Sequence, residues 1–286
     1  MAKLLSNKDN LFKFGYCVIR NLLNDEEIQR YRLIIKKIHE KNGQGHNFIS
    51  DHRESWEFIF NDRILNAMRS VLGPNISYLH DGNFSHLFQN KKNDFSTVAN
   101  WHRDSPCRRF GKGADWDKNE PYNVVTAILY LSSNEGSHSN LNVIPFTHKK
   151  TFTLSNILRI LHHKTKKITF LSSIRKLFQN FLGVNIRTNP GDCVIFLSNV
   201  LHKALSHLSL RQWIVFHYGT GNKHSKNYIN YVLKHRTDCS ARIYIDNNDQ
   251  SKLDDFFKFL KDKNIFYPIP EKKEKIEGVT IPRADY

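Results

Sequence analysis

Between residues 76 and 218 the sequence breaks into short runs rich in β-branched and aromatic residues, separated by turn-forming residues. The runs are 76–79, 84–89, 123–131, 141–144, 184–187, 192–197 and 212–218. Short strands at this spacing pack as an all-β sandwich or barrel, whereas a parallel α/β sheet would alternate them regularly with helices. Within the series, Asn189-Pro190-Gly191-Asp192 predicts a tight turn. Proline presets φ at its second position and glycine supplies a positive φ at its third.

Helices flank and interrupt this β region. A short strand is expected within 11–23, around Gly15, followed by a helix over 25–40 that opens on the capping pair Asn24 and Glu27. Ile28, Tyr31, Ile34, Ile35 and Ile38 give that helix one apolar face. A second helix is expected over 56–72, stopped by Gly73-Pro74. Residues 149–183 carry two helical stretches and many lysines, so they read as an insertion between strands, expected to close over a pocket as a lid. After residue 222 a further helix is expected near 253–263, then a polar, extended end. With no repeat and no linker, residues 1–286 are expected to form one domain. Its core is 11–222, with the insertion at 149–183 and a C-terminal extension at 223–286.

Composition narrows the function. Of 286 residues, 40% are apolar and 12% aromatic, enough to build a core. Lys and Arg exceed Asp and Glu to give a net charge of +16, which attracts anionic ligands. No basic stripe interleaves with aromatics, so nucleic acid is not the expected partner. No apolar stretch is long enough for a membrane span, and the first fifteen residues lack the apolar segment of a secretory signal. Four scattered cysteines, Cys17, Cys107, Cys193 and Cys239, read as reduced thiols of a cytoplasmic protein.

The chemistry centres on His102-Arg103-Asp104. With so many histidines, one such triplet is expected by chance, so its surroundings must decide. In an extended segment, residues two apart point to the same side, so His102 and Asp104 can address one metal ion. His202, after the 190–191 turn and the strand at 192–197, is the candidate third ligand. Two histidines and one carboxylate on one face of an octahedron leave open positions and suit non-haem Fe(II) oxygenases. Arg211 opens the run 212–218, where a buried charge needs a partner; a bound dicarboxylate would match its guanidinium fork.

In order along the chain, five segments resemble the phytanoyl-CoA dioxygenase family of Fe(II)- and 2-oxoglutarate-dependent oxygenases. They are 12–19 (FKFGYCVI), Asn100-Trp101-His102-Arg103-Asp104, 140–148 (NLNVIPFTH), Pro190-Gly191-Asp192 through His202, and Arg211. The resemblance covers about residues 11–222. It implies a mostly β fold, a double-stranded β-helix (a cupin-like jelly roll), with helices packed outside. It implies Fe(II) held by His102, Asp104 and His202 (rather than His207, too close to Arg211), and 2-oxoglutarate as cosubstrate. Arg211 would bind its distal carboxylate, with Thr126 and Gln89 as further polar contacts. Trp101 and Arg103 are candidates for touching substrate. The implied reaction uses O2 to hydroxylate a small, anionic metabolite or acyl conjugate. Retention of Asp104 favours hydroxylation over halogenation. Phe146-Thr147 departs from the family's glycine-serine, and the insertion is longer than expected; both bear on substrate. Two other classes fit the sequence less completely: a non-catalytic jelly-roll module binding an acidic polymer, and a metal-dependent isomerase on a similar barrel.

Overall fold

In the computed structural model, which describes residues 6–42, 46–87, 101–105, 114–116, 120–132, 141–149, 180–204, 211–235 and 250–265, the chain begins with a helix that precedes the expected strand. Helix α1 (Asn7–Phe14) is opened by a capping box in which the Asp9 amide donates to Ser6 Oγ and the Ser6 amide donates back to Asp9. Gly15 closes it at φ 91, leaving only Tyr16–Ile19 as strand β1. No other residue fits at position 15, since a Cβ there would lie 2.7 Å from both His148 Nδ1 and Val200 Cγ2.

Helix α2 (Asp25–Asn42) starts as expected, with the Glu27 amide on Asn24 Oδ1 at 2.8 Å and the Asn24 amide on Glu27 Oε2 at 2.9 Å. The single helix expected at 56–72 is instead two, α3 (Glu57–Phe60) and α4 (Asp62–Leu72). Asn61 separates them: its backbone is extended at ψ 136, its Oδ1 caps α4 by accepting from the Arg63 amide, and its Nδ2 donates to Glu27.

The remaining strands are β2 (His46–Phe48), β3 (Ser77–Leu87), β4 (Val125–Tyr130), β5 (Leu141–Ile144), β6 (Val184–Ile186), β7 (Cys193–Leu197), β8 (Leu201–Ala204) and β9 (Arg211–Gly219). They form a six-stranded sheet ordered β1-β7-β4-β9-β3-β2 and a three-stranded sheet ordered β6-β5-β8; every pairing is antiparallel. The expected runs 76–79 and 84–89 merge into β3, whose register against β9 shifts between Tyr78 and Asn83. Helix α5 (Lys223–His235) was not anticipated, and α6 (Gln250–Asp262) matches the expected C-terminal helix. The helices expected at 149–183, apart from the last residues 180–183, lie outside the described residues, as do Cys107, Cys239 and the end beyond 265. Among the described residues helix exceeds strand, so the expectation of a mostly β chain is corrected to antiparallel sheets with helices. None of those helices is long and apolar enough to cross a membrane.

The helices cover one face of the large sheet and the small sheet covers the other. Val125, Ala127, Leu129, Ile195, Leu197, Ile214 and Phe216 face Ile28, Tyr31 and Ile35 of α2, Leu65 and Met68 of α4, and Phe256 and Leu260 of α6. On the other face Ile128, Tyr130, Val194 and Phe196 meet Leu141, Val143 and Ile186 of the small sheet. Strands β4 and β7 are buried along their whole length, which explains their unbroken apolar runs. The described cysteines, Cys17 and Cys193, are free thiols in this core, and burial raises the Cys17 pKa to about 12.

Two local devices hold the N-terminal strand to this core. In the 189–192 turn, Gly191 takes φ 86 and the Asp192 amide donates to the Asn189 carbonyl at 3.1 Å. The fully buried Asp192 carboxylate then accepts from Arg20 Nη1 (2.6 Å) and from the amides of Asn21 (2.9 Å) and Asn189 (2.8 Å). The D192A substitution strands those buried amides, so urea unfolding should show a loss of about 3 kcal/mol. The second device is His148, whose Nε2–H donates to the Phe12 carbonyl at 3.1 Å while Nδ1 is buried without a partner. Burial, with Lys149 and Arg103 nearby, lowers its pKa to about 4. The unfolded chain therefore takes up a proton near pH 6.5 that the folded chain refuses until about pH 4. The His148 contribution to stability should fall by roughly 3 kcal/mol across that window and be flat above it. In H148Q, this part of the pH dependence should vanish from urea melts.

Candidate metal centre

Residues 101–105 run beside β8 and are tied to it by the backbone. The His102 amide donates to the His202 carbonyl at 2.8 Å and the His202 amide returns the bond at 3.0 Å. The amides of Asp104 and Ser105 both donate to the Ser198 carbonyl, at 2.9 and 3.0 Å. These bonds align two stretches that are distant in sequence, so the side chains of His102, Asp104 and His202 meet. One ligand atom from each lies within 4.8 Å of the others.

The donor set fits a divalent cation. His102 Nε2 is 3.6 Å from Asp104 Oδ1, and His202 Nε2 is 3.6 Å from Asp104 Oδ2. Those separations exceed a hydrogen bond and leave room for an ion between the atoms. His202 Nδ1 lies 3.1 Å from the Val200 carbonyl, which fixes the proton on Nδ1 and turns the bare Nε2 toward the carboxylate. The His202 ring is buried and packs on Phe196 and His102, with centroids at 4.5 and 4.3 Å. Burial drives its pKa down to about 4 against the pull of Asp104, so it is neutral, the form that binds metal. For Asp104, burial acts upward but is outweighed by the imidazoles of His202, His102 and His217 and by a bond from Thr126. Its pKa is held at about 2, so it is ionised. The side chains of His102 and Asp104 are 25% and 21% exposed, which leaves the site open to small molecules on their side.

The other expected site residues divide. Arg103 and Trp101 alternate with the two ligands along the segment and are both buried. Arg103 is 3% exposed, donates from Nη2 to the Thr147 carbonyl and stacks over Trp116 at 5.1 Å; burial lowers its pKa to about 9. Trp101 is buried beneath Lys203 Nζ, which stands 4.9 Å above its ring. Thr126 is brought to the site: its Oγ1 donates to Asp104 Oδ2 at 3.0 Å. Arg211 opens β9, in register with Leu87 and in the same alternation as Trp213, Val215 and His217. Gln89 and His207 lie outside the described residues.

His217 is a site neighbour that sequence inspection passed over. It is buried, with Nδ1 at 3.2 Å from Thr126 Oγ1. Counting alternate residues along β9 from Arg211 would have singled it out.

A profile of the phytanoyl-CoA dioxygenase (PhyH) family matches residues 12–212, a span that contains all three candidate ligands. The chain belongs to the phytanoyl-CoA dioxygenase family. No curated protein matches its sequence at a significant level. Solved structures share its fold. HygX from Streptomyces hygroscopicus, with nickel and 2-oxoglutarate bound, aligns at 16% identity and TM-score 0.55, covering 76% of this chain and 88% of HygX. The non-heme alpha ketoglutarate dependent carbocyclase SnoK aligns at 15% identity and TM-score 0.53, covering 76% and 85%. The epimerase SnoN, also from nogalamycin biosynthesis, aligns at 13% identity and TM-score 0.53, covering 77% and 85%.

Removing any of the three donors should disable cation binding. Calorimetric titration of metal-free protein with Ni(II) should show at least about 100-fold weaker binding for H102A, D104A and H202A, since outer-shell partners alone contribute about 10- to 100-fold.

Proposed function

We propose that this protein is a non-haem Fe(II)- and 2-oxoglutarate-dependent dioxygenase that hydroxylates a small, anionic metabolite or acyl conjugate. The observation that carries this reading is the convergence of two imidazoles and one carboxylate within 4.8 Å on adjoining backbone segments. The two sheets, in this reading, are the halves of a double-stranded β-helix within a single domain spanning 1–286. The cytoplasm is its setting, in keeping with the free thiols of Cys17 and Cys193.

His102, Asp104 and His202 would hold the iron, using the neutral Nε2 of His202 and the ionised carboxylate. Iron with 2-oxoglutarate, when bound, supplies oxidation of a substrate C–H bond by O2, with succinate and CO2 as by-products. Arg211 would grip the distal carboxylate of 2-oxoglutarate in a bidentate pair. Phe196 and Val143, buried beside His202, keep water from that side of the metal ligands. The net charge of +16 draws in both an anionic cosubstrate and an anionic substrate. HygX, with metal and 2-oxoglutarate bound, supports the cofactor pair, and SnoN, an epimerase, marks hydroxylation as the point a product analysis must decide.

Anaerobic Fe(II) plus 2-oxoglutarate should give a weak visible charge-transfer band that is absent in H102A. Air should then yield succinate, enhanced by the right member of a panel of anionic metabolites. R211A should raise the KM for 2-oxoglutarate about 10- to 100-fold, the worth of one charge-assisted contact. No band and no succinate would defeat this reading. Salt-steep polyanion binding indifferent to chelator would instead identify a non-catalytic module.

A further inference from the structure

We propose that Thr126 and His217 position the metal-binding carboxylate of Asp104, forming a hydrogen-bonded relay from β9 through β4 to the metal centre. This deepens the metal-centre reading and rests on it. Thr126 sits on β4, the strand between β7 and β9, with Phe196 and His217 as its register partners. Its hydroxyl, 2% exposed as a residue, lies within hydrogen-bonding reach of three groups: Asp104 Oδ2 at 3.0 Å, Ser198 Oγ at 3.1 Å and His217 Nδ1 at 3.2 Å.

Proton counting orders these bonds. A threonine hydroxyl has one proton and two lone pairs, and an ionised carboxylate only accepts. The Thr126 proton therefore goes to Asp104, and its lone pairs receive the Ser198 hydroxyl and the Nδ1–H of His217. Tyr228 OH stands 3.4 Å from the same His217 nitrogen. Tyr228 is 1% exposed and belongs to α5, beyond the residues 12–212 matched by the family profile. The charge on Asp104 thus fixes which groups donate, back through β4 to His217 on β9. Oδ2 takes the Thr126 bond, while Oδ1 faces His102. With its one proton committed to Asp104, Thr126 is a positioning residue for the metal ligand and has no donor left for 2-oxoglutarate.

Metal-free protein titrated with Co(II), without 2-oxoglutarate and followed by its visible absorption bands, tests this. T126V should weaken Co(II) binding about 10- to 100-fold and shift the bands, and T126S should restore both. H217F should weaken binding by a smaller factor, and H217N, whose amide N–H takes the place of Nδ1–H, should restore it. Thermal unfolding of the metal-free variants separates lost ligation from lost fold. If D104A abolishes binding while T126V and H217F bind as wild type, the positioning role is overturned and the metal centre stands. A T126V effect confined to the KM for 2-oxoglutarate overturns it too, in favour of a cosubstrate contact. Wild-type binding by D104A overturns the metal centre itself, and the relay with it. Should T126V not fold, equal affinities for H217F and H217N overturn the proposal.

Discussion

The site depends on the reciprocal backbone hydrogen bonds between His102 and His202, reinforced by two amides on the Ser198 carbonyl. Side chains alone would not bring two imidazoles beside a carboxylate, because each is polar and drawn to water. The backbone imposes the meeting. Residues 101–105 extend the small sheet beyond β8, and the turn between β7 and β8 lends its carbonyl to the same segment. The large sheet supplies Thr126 and His217 from its inner face. The candidate metal centre therefore sits where the two sheets join, and the packing of Phe196 and Val143 that holds the sheets together also dries the buried ligand His202.

Much of this was legible in the sequence where local chemistry and tertiary context agree. The Asn24–Glu27 cap, the 189–192 turn and the apolar runs of β4 and β7 are each fixed by their own residues and survive folding unchanged. The ligand set was legible for another reason: parity along an extended segment puts His102 and Asp104 on one side whatever surrounds them.

What was misread lies where partners are remote. The strand expected within 11–23 is Tyr16–Ile19, but the helix before it, bounded by the Ser6 cap and the left-handed Gly15, was not anticipated. Asn61 is a polar residue in a helical pattern until its side chain is seen capping α4 and tying it to Glu27. β8, which carries His202, is too short and polar to announce itself, and is a strand only because β5 and residue 102 flank it. Phe146, where the resemblance leads one to expect glycine, does adopt φ 64; its ring packs edge-on to Phe14 at 5.4 Å, which offsets a strain of about 1 kcal/mol.

The turn joining β7 to β8 has a consequence for how this scaffold can vary. Leu197 accepts from the Val200 amide, and two residues further on His202 enters the inner face. In an unchanged register, deleting one residue there would put the Lys203 ammonium among the ligands, and adding one would put Leu201 there and the His202 imidazole against Trp101. The length of this short connection is thus set by the pairing of residue 202 with residue 102.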